Sequence, residues 1–234
     1  MNIDYFAISQ PKPEPGRINQ DSLLAMEITD GVVLGIADGM GGKAGGNIAS
    51  GLAIEAMREI MSESPNDGLE AIFSLAQHKL AAAETPYNKG MGSTLTVVHV
   101  KGTMARFAHV GDSRLYHLGL NRLLQVTRDQ TELQELLDQN LITKAAAQSY
   151  HRKNILTSVL TSEDTYYLQV GQFEIQQQDT LLLLTDGFSS LLSDSEMEVC
   201  SAASANCEQF ISAMFQLVRN RKLSDDFSAL ATRF

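Results

Sequence analysis

Five aspartates sit where apolar, strand-like runs begin, end or turn. Asp21 and Asp225 precede such runs, Asp38 and Asp186 follow them, and Asp112 lies in a Gly-Asp turn between two more. Taken singly, each reads as a turn acid in solvent. All five, however, stand beside Gly, Ser or another acid. Gathered together, such carboxylates would raise one another's pKa and oppose folding unless cations sat among them. Carboxylate, backbone carbonyl and water are the donors that suit the hard ions Mg²⁺ and Mn²⁺. Two such ions can lower the pKa of a water, orient it, and neutralise charge on a phosphoryl oxygen.

The elements that must position these acids can be read from periodicity. Asp21 to Ile28 and Val32 to Ala37 flank Asp30-Gly31, a hairpin signal that sets Asp21 and Asp38 near one another at the open end. Asp38 then stands where a buried strand ends, before a loop with five glycines in the stretch Gly35 to Ser50. Helical period follows from Asn47, a predicted N-cap, and again from Leu69 to Leu80, stopped by Thr85-Pro86. Strands are predicted over Tyr5–Ser9, Ser93–Val100, Ala105–Val110, Arg114–Leu118, Leu123–Thr127, Tyr166–Ile175, Thr180–Thr185 and Phe227–Thr232. Helices are predicted about Ser195–Ala203 and Glu208–Arg219. A polar, partly helical insertion, residues 128–164, interrupts the strands; segments of this length often contact substrate. His78 reads as a solvated helix residue, and His99, His109 and His117 as packed or edge histidines without zinc-ligand spacing.

The chain has 234 residues, with a formal net charge of −10. That balance argues against a nucleic-acid or anionic-membrane binder, which needs a basic surface. No apolar run approaches the ~20 residues that span a bilayer. The first residues, MNIDYFAISQPKPEP, lack a signal-peptide layout, so the expected location is cytoplasmic. No internal repeat, linker or low-complexity segment divides the chain, and one domain is expected. Cys200 and Cys207, seven apart, would share one face of a helix as small buried residues. Neither has an arginine six positions on (Asn206 and Ala213 stand there), so a C-x5-R phosphatase loop is absent. Gly39-x-Gly41-x-x-Ala44 passes a relaxed dinucleotide pattern, but Asp38 would face the pyrophosphate and a second helix follows instead of a strand. A Walker A loop fails as well, with Ala37 and Ala44 where Gly and Ser/Thr belong.

Six segments carry a family resemblance: GRINQDS, GIADGMGGKAGGNIAS, MGSTLTVV, HVGDSRLY, LLLLTDGFSSLL and DDFSALATRF. In that order and spacing the chain resembles the metal-dependent serine/threonine protein phosphatases of type 2C (the PPM family) in their compact bacterial form. The likeness runs over essentially the whole chain, 1–234 as a single catalytic domain, and the insertion at about 128–164 resembles the family's flap. The resemblance implies an α+β fold, a four-layer α-β-β-α sandwich of two mainly antiparallel sheets flanked by helices, with a metal site at one end. It implies two Mn²⁺ or Mg²⁺ ions. Asp38 would bridge them, the Gly39 carbonyl would complete one, Asp186 and Asp225 would hold the other, and Asp21 and Gln20 would act through water. Asp112 matches a position that, with Asp186, binds a third, weaker metal. Asp21, Asp38, Asp186 and Asp225 would be catalytic, and Arg17 would clamp the substrate phosphate by two charge-assisted bonds.

The implied reaction is one-step hydrolysis of phosphoserine or phosphothreonine by a hydroxide bridging the two ions, without a phospho-enzyme. The implied partners are phosphorylated proteins and an opposing bacterial Ser/Thr kinase, with the enzyme a monomer. Alternatives are a partner-switching phosphatase for anti-sigma antagonists and a catalytically silent binding module. Three departures from the family pattern stand out. Only Ile18 separates Arg17 from Asn19, where relatives usually place two residues. The last motif reads Asp225-Asp226 instead of Asp-Asn, which leaves Asp226 as a substitute ligand. Met40 stands where eukaryotic relatives carry a histidine, a proton donor there.

Overall fold

Side chains alternate along β3 (Gly31–Met40), with Val32, Leu34 and Ile36 on one face and Val33 and Ala37 on the other, all buried. A strand apolar on both faces needs a covering layer on each side. Both layers are present in a computed structural model that describes residues 3–40, 45–65, 68–119, 122–163 and 165–234. One sheet runs β10 (Gln169–Glu174), β6 (Met104–Val110), β5 (Leu95–Lys101) and β3. Strand β2 (Asp21–Ile28) lies on the far side of β3, and short β4 (Gly92–Ser93) and β9 (Leu160–Thr161) extend one end. The second sheet runs β1 (Asp4–Gln10), β12 (Phe227–Arg233), β11 (Thr180–Leu184), β7 (Arg114–Gly119) and β8 (Arg122–Gln125). Every pairing within the two sheets is antiparallel.

Val32, Leu34, Ile36, Val98 and Phe107 of one sheet meet Leu115, Leu181, Leu183 and Leu230 of the other in the central core. The opposite faces are covered by helices. Val33, Ala37 and Val97 pack beneath α1 (Gly46–Glu63) and α2 (Glu70–Ala83). Leu182, Leu184 and Ala229 pack beneath α6 (Asp194–Ala202) and α7 (Cys207–Val218). Each fully buried Leu contributes ~1.5–3 kcal/mol, so the run Leu181–Leu184 ties the inner and outer cores together. The four-layer sandwich expected above is therefore the fold. Among the described residues no helix is long and apolar enough to cross a membrane.

Several local expectations are corrected. β3 does not stop before Asp38; it continues through Gly39 and Met40 because β4 pairs with those two residues. The strand predicted over Ser93–Val100 breaks at Thr94, whose N–H turns to the Asp38 carbonyl at 2.9 Å. Regular pairing of β10 begins only at Gln169, three residues later than predicted. Gly45, not Asn47, caps α1, and Asn47 lies in its first turn. Gly39 and Gly46 explain that early start: a Cβ on Gly39 would lie 1.9 Å from the Gly46 oxygen, so helix and strand touch backbone to backbone. Cys200 and Cys207 are buried as expected but belong to two helices, α6 and α7, since the chain breaks between them. The histidines are as read: His78 is exposed, His109 buried, and His117 paired with Asp179 at 2.7 Å. Gly41, Gly42, Lys43 and Ala44 of the glycine loop, with Asn121 and Asp164, lie outside the described residues.

Candidate active site

The hairpin of β2 and β3 turns through Thr29-Asp30, which fixes a register pairing Asp21 directly with Asp38. The sequence expectation about these two acids therefore holds. The Asp38 backbone is secured independently of its carboxylate: its N–H donates to Thr94 Oγ1 at 2.9 Å, and its C=O accepts from Thr94 N and Ser93 Oγ. Gly111, at φ +108°, turns the chain between β6 and β7 and brings Asp112 to the same end. Asp186 opens a single helical turn, α5 (Asp186–Ser189), directly after β11. Gly187 there has no room for a Cβ, which would meet the Asp226 oxygen at 1.9 Å, so β11 and β12 deliver Asp186 and Asp225 side by side.

These pieces line one cavity of about 390 Å³, with Asp38, Gly39, Asp112, Asp186, Asp225 and Arg17 in its wall. Asp21 lies beneath it, 7% exposed, its Oδ2 accepting from Thr185 Oγ1 at 2.9 Å and Ser228 Oγ at 2.7 Å. Those two hydroxyls were missed in the sequence, although a Thr and a Ser inside the apolar runs LLLLT and FSALA were the available signal.

The electrostatics ask for cations. Burial, then the charges of Asp21, Asp186, Asp112 and Asp225, hold the Asp38 carboxyl well above the usual carboxylate range. Burial lifts Asp21 to about 7 against the lowering effect of its two hydroxyl donors. Burial and then Asp186 lift Asp112 to about 8. Asp186 is raised by burial and by Asp225. Among the described residues, Asp21 Oδ1 and Asp186 Oδ1 are buried without a hydrogen-bond partner. A buried acceptor left unpaired costs ~1–3 kcal/mol, which a cation at that oxygen would offset. Among the described residues no three Asp, Glu, His or Cys side chains are already drawn together closely enough to hold one metal ion. The acids make an open cup, which suits ions that retain water ligands. The donor set thus fits Mg²⁺ or Mn²⁺.

Arg17 reaches this cavity despite its short spacer from Asn19. Its Nε and Nη2 donate to Asp226 at 3.1 and 3.0 Å, and Nη2 also reaches Gln20 Oε1 at 3.1 Å and Asp225 Oδ1 at 3.5 Å. Asp226 is no substitute ligand. It is 2% exposed, and its two oxygens already accept from Arg17, Lys12 N and Gln20 N. Burial would raise its carboxyl, but those donors outweigh it and leave the group below its usual range. Lys12 carries the one N–H of Pro11-Lys12-Pro13, and that donor goes to Asp226.

The insertion, which carries α3 (Glu132–Asp138) and α4 (Lys144–Ala147), also reaches the site. Asn154 Nδ2 lies 3.4 Å from Asp186 Oδ2, and Leu156 lines the cavity. Nothing local in SYHRKN marks Asn154, because its place depends on how the whole insertion folds back. Met40 stands half-exposed in the cavity wall with no titratable atom.

Comparison with known proteins bears on the family and the fold. The family model described as protein phosphatase 2C matches residues 14–230. The serine/threonine protein phosphatase PstP of Mycobacterium tuberculosis (strain CDC 1551 / Oshkosh) is 34% identical over 182 residues, 75% of this chain. The match spans only 34% of that protein's length. The protein phosphatase PhpP of Streptococcus pneumoniae serotype 2 (strain D39 / NCTC 7466) is 30% identical over 170 residues, 69% of each chain. The structure of the catalytic domain of a PstP in complex with two manganese ions superposes with a TM-score of 0.84 at 27% identity, covering 99% of this chain and 97% of that one. By its sequence, its four-layer fold and its cup of aspartates, the chain belongs to the protein phosphatase 2C family.

Proposed function

We propose that this chain, 1–234 acting as one catalytic unit, is a metal-dependent phosphatase of phosphoserine and phosphothreonine in proteins. The observation that carries the reading is the meeting of five aspartates with one guanidinium at a single open end. Two Mn²⁺ or Mg²⁺ ions bound there would supply an activated water and offset charge on the phosphoryl oxygens. Asp38, the Gly39 carbonyl, Asp186 and Asp225 would hold them, Asp112 would serve a weaker third site, and Asp21 and Gln20 would hold water. The manganese-bound PstP structure supports that cofactor assignment.

Arg17 binds the phosphate and sets its direction, since a guanidinium offers two parallel donors to a phosphoryl group. No nucleophilic side chain is needed for a direct displacement, in line with the missing C-x5-R loop. The flap, 128–164, contributes Asn154 and Leu156 to the wall and so acts on the choice of protein substrate. The partners in this reading are phosphorylated proteins and an opposing Ser/Thr kinase in the cytoplasm, met by a monomer.

The test is hydrolysis of an aryl phosphate and of phosphoserine, phosphothreonine and phosphotyrosine peptides with and without Mn²⁺. Turnover that requires the metal and favours phosphoserine and phosphothreonine is expected. No turnover with Mn²⁺ present would end the reading.

A further inference from the structure

We propose that Asp226 is a positioning residue that fixes which edge of Arg17 meets the substrate phosphate, an inference that rests on Arg17 as the phosphate clamp. Four N–H groups converge on its two oxygens. Lys12 N and Arg17 Nε donate to Oδ1 at 2.8 and 3.1 Å, and Gln20 N and Arg17 Nη2 to Oδ2 at 2.9 and 3.0 Å. An ionised carboxylate has about four acceptor sites and can satisfy all of them. An asparagine cannot, because its amide nitrogen would turn two hydrogens toward two of these donors. The two departures noted in the sequence, the short spacer after Arg17 and an acid at 226, meet in this one contact.

The consequence lies in the geometry of the guanidinium. Its Nε–Nη2 edge is taken by Asp226, while Nη1 makes no hydrogen bond among the described residues. Nη1 is therefore left to meet a phosphate, and the second Nη2 hydrogen, now directed at Gln20 Oε1 at 3.1 Å, joins it once the phosphate takes over that contact. Held in place by a buried partner, Arg17 does not lose side-chain freedom when substrate arrives. Charge and orientation act with opposite sign. Asp226 offsets the positive charge of Arg17, so if only charge mattered, its removal would tighten anion binding. If orientation matters more, removal weakens it.

The experiment compares the wild type, Asp226→Asn, Arg17→Ala and the double variant. It reads inorganic phosphate binding by calorimetry with Mg²⁺ present, and KM and kcat for an aryl phosphate with Mn²⁺. Arg17→Ala is expected to weaken phosphate binding about tenfold or more, as for loss of a charge-assisted pair. Asp226→Asn is expected to weaken it roughly five- to tenfold, raising KM more than it lowers kcat. In the Arg17→Ala background the second change is expected to have no further effect, which a merely structural role would not give. Phosphate affinity unchanged or tighter in Asp226→Asn would overturn the inference while leaving the clamp intact. Unchanged affinity in Arg17→Ala would instead remove the clamp and the premise with it.

Since Asp226→Asn could fail to fold, the wild-type Mg²⁺-loaded protein supplies a second readout by nitrogen-15 NMR. The Arg17 Nε–H signal, assigned through Arg17→Lys, should exchange slowly with water and hold its position as phosphate is added while the Nη signals shift. An Nε–H that exchanges like that of a free arginine would overturn the inference.

Discussion

Asp38 shows how this fold separates chemistry from stability at a single residue. Its backbone is bound to Ser93 and Thr94, and those bonds do not use the carboxylate. Its carboxyl instead faces Asp21, Asp112, Asp186 and Asp225, all of which push its pKa upward after burial has done so. Asp38→Ala should therefore leave the fold intact and the metal-free protein equally or more stable. It should also remove metal-dependent turnover by ~10³-fold or more, the scale set by several kcal/mol of charge stabilisation. Aryl-phosphate kinetics and a thermal melt check both halves; wild-type turnover would refute the assignment. The five acids were legible in the sequence because each stands at a strand boundary beside Gly, Ser or another acid. Asp226 was not. Asp225 and Asp226 are adjacent and chemically identical, and only the folded chain shows that the first lines the cavity while the second is consumed by four donors.

At the scale of elements, the strands and helices were legible wherever one face is buried, since period two and period 3.6 follow directly from burial. The exceptions lie where tertiary pairing overrides local pattern, as in the extension of β3 through Met40 and the break at Thr94. The insertion was legible as an insertion, but its tether was not. Gln130, 4% exposed, accepts from Gly111 N at 2.9 Å and donates to the Tyr167 carbonyl at 2.9 Å, while its backbone reaches Gly111 O and Thr157 N. One side chain thus ties both ends of the flap to the turn that carries Asp112. Gln130→Ala strips the Gly111 N–H of its partner and leaves the Tyr167 carbonyl only the longer contact from Ser158 Oγ at 3.4 Å, which should cost ~1–3 kcal/mol in a urea melt, with faster hydrogen exchange at the Gly111 amide. An unchanged Gly111 amide would show that the tether does not hold the turn. Farther out, Glu132 accepts from Arg152 and Tyr150 and closes the flap on itself. Trimming the flap beyond that staple should shift the preference among phosphoprotein substrates more than it slows aryl-phosphate turnover. Equal losses on both would refute its part in selectivity.

For the molecule as a whole, the acid cup makes metal-free stability a function of pH, and the sign follows from proton counting. Asp21 and Asp112 are raised to about 7 and about 8 in the folded chain, against ordinary unfolded values near 4. Between those limits the folded state holds protons that the unfolded state has lost, so stability falls as pH rises through the window. His109 works the other way: burial depresses it to about 4, so its contribution is complete above the unfolded value near 6.5 and declines only as pH falls below that. From pH 6.5 to 8 the acids therefore act without that opposing group. A carboxyl with a folded pKa near 8 loses ~2 kcal/mol of stability across that span, which lowers the melting temperature of a chain this size by ~4–8 °C. Mg²⁺ or Mn²⁺ binds the ionised carboxylates, so the same metal concentration should raise the melting temperature more at pH 8 than at pH 6.5. Asp112→Asn removes one of the titrating groups and should flatten the metal-free slope. A metal-free melting temperature that is level or rises from pH 6.5 to 8, with an equal metal shift at both ends, would mean that the aspartates are not held together as a repelling cluster.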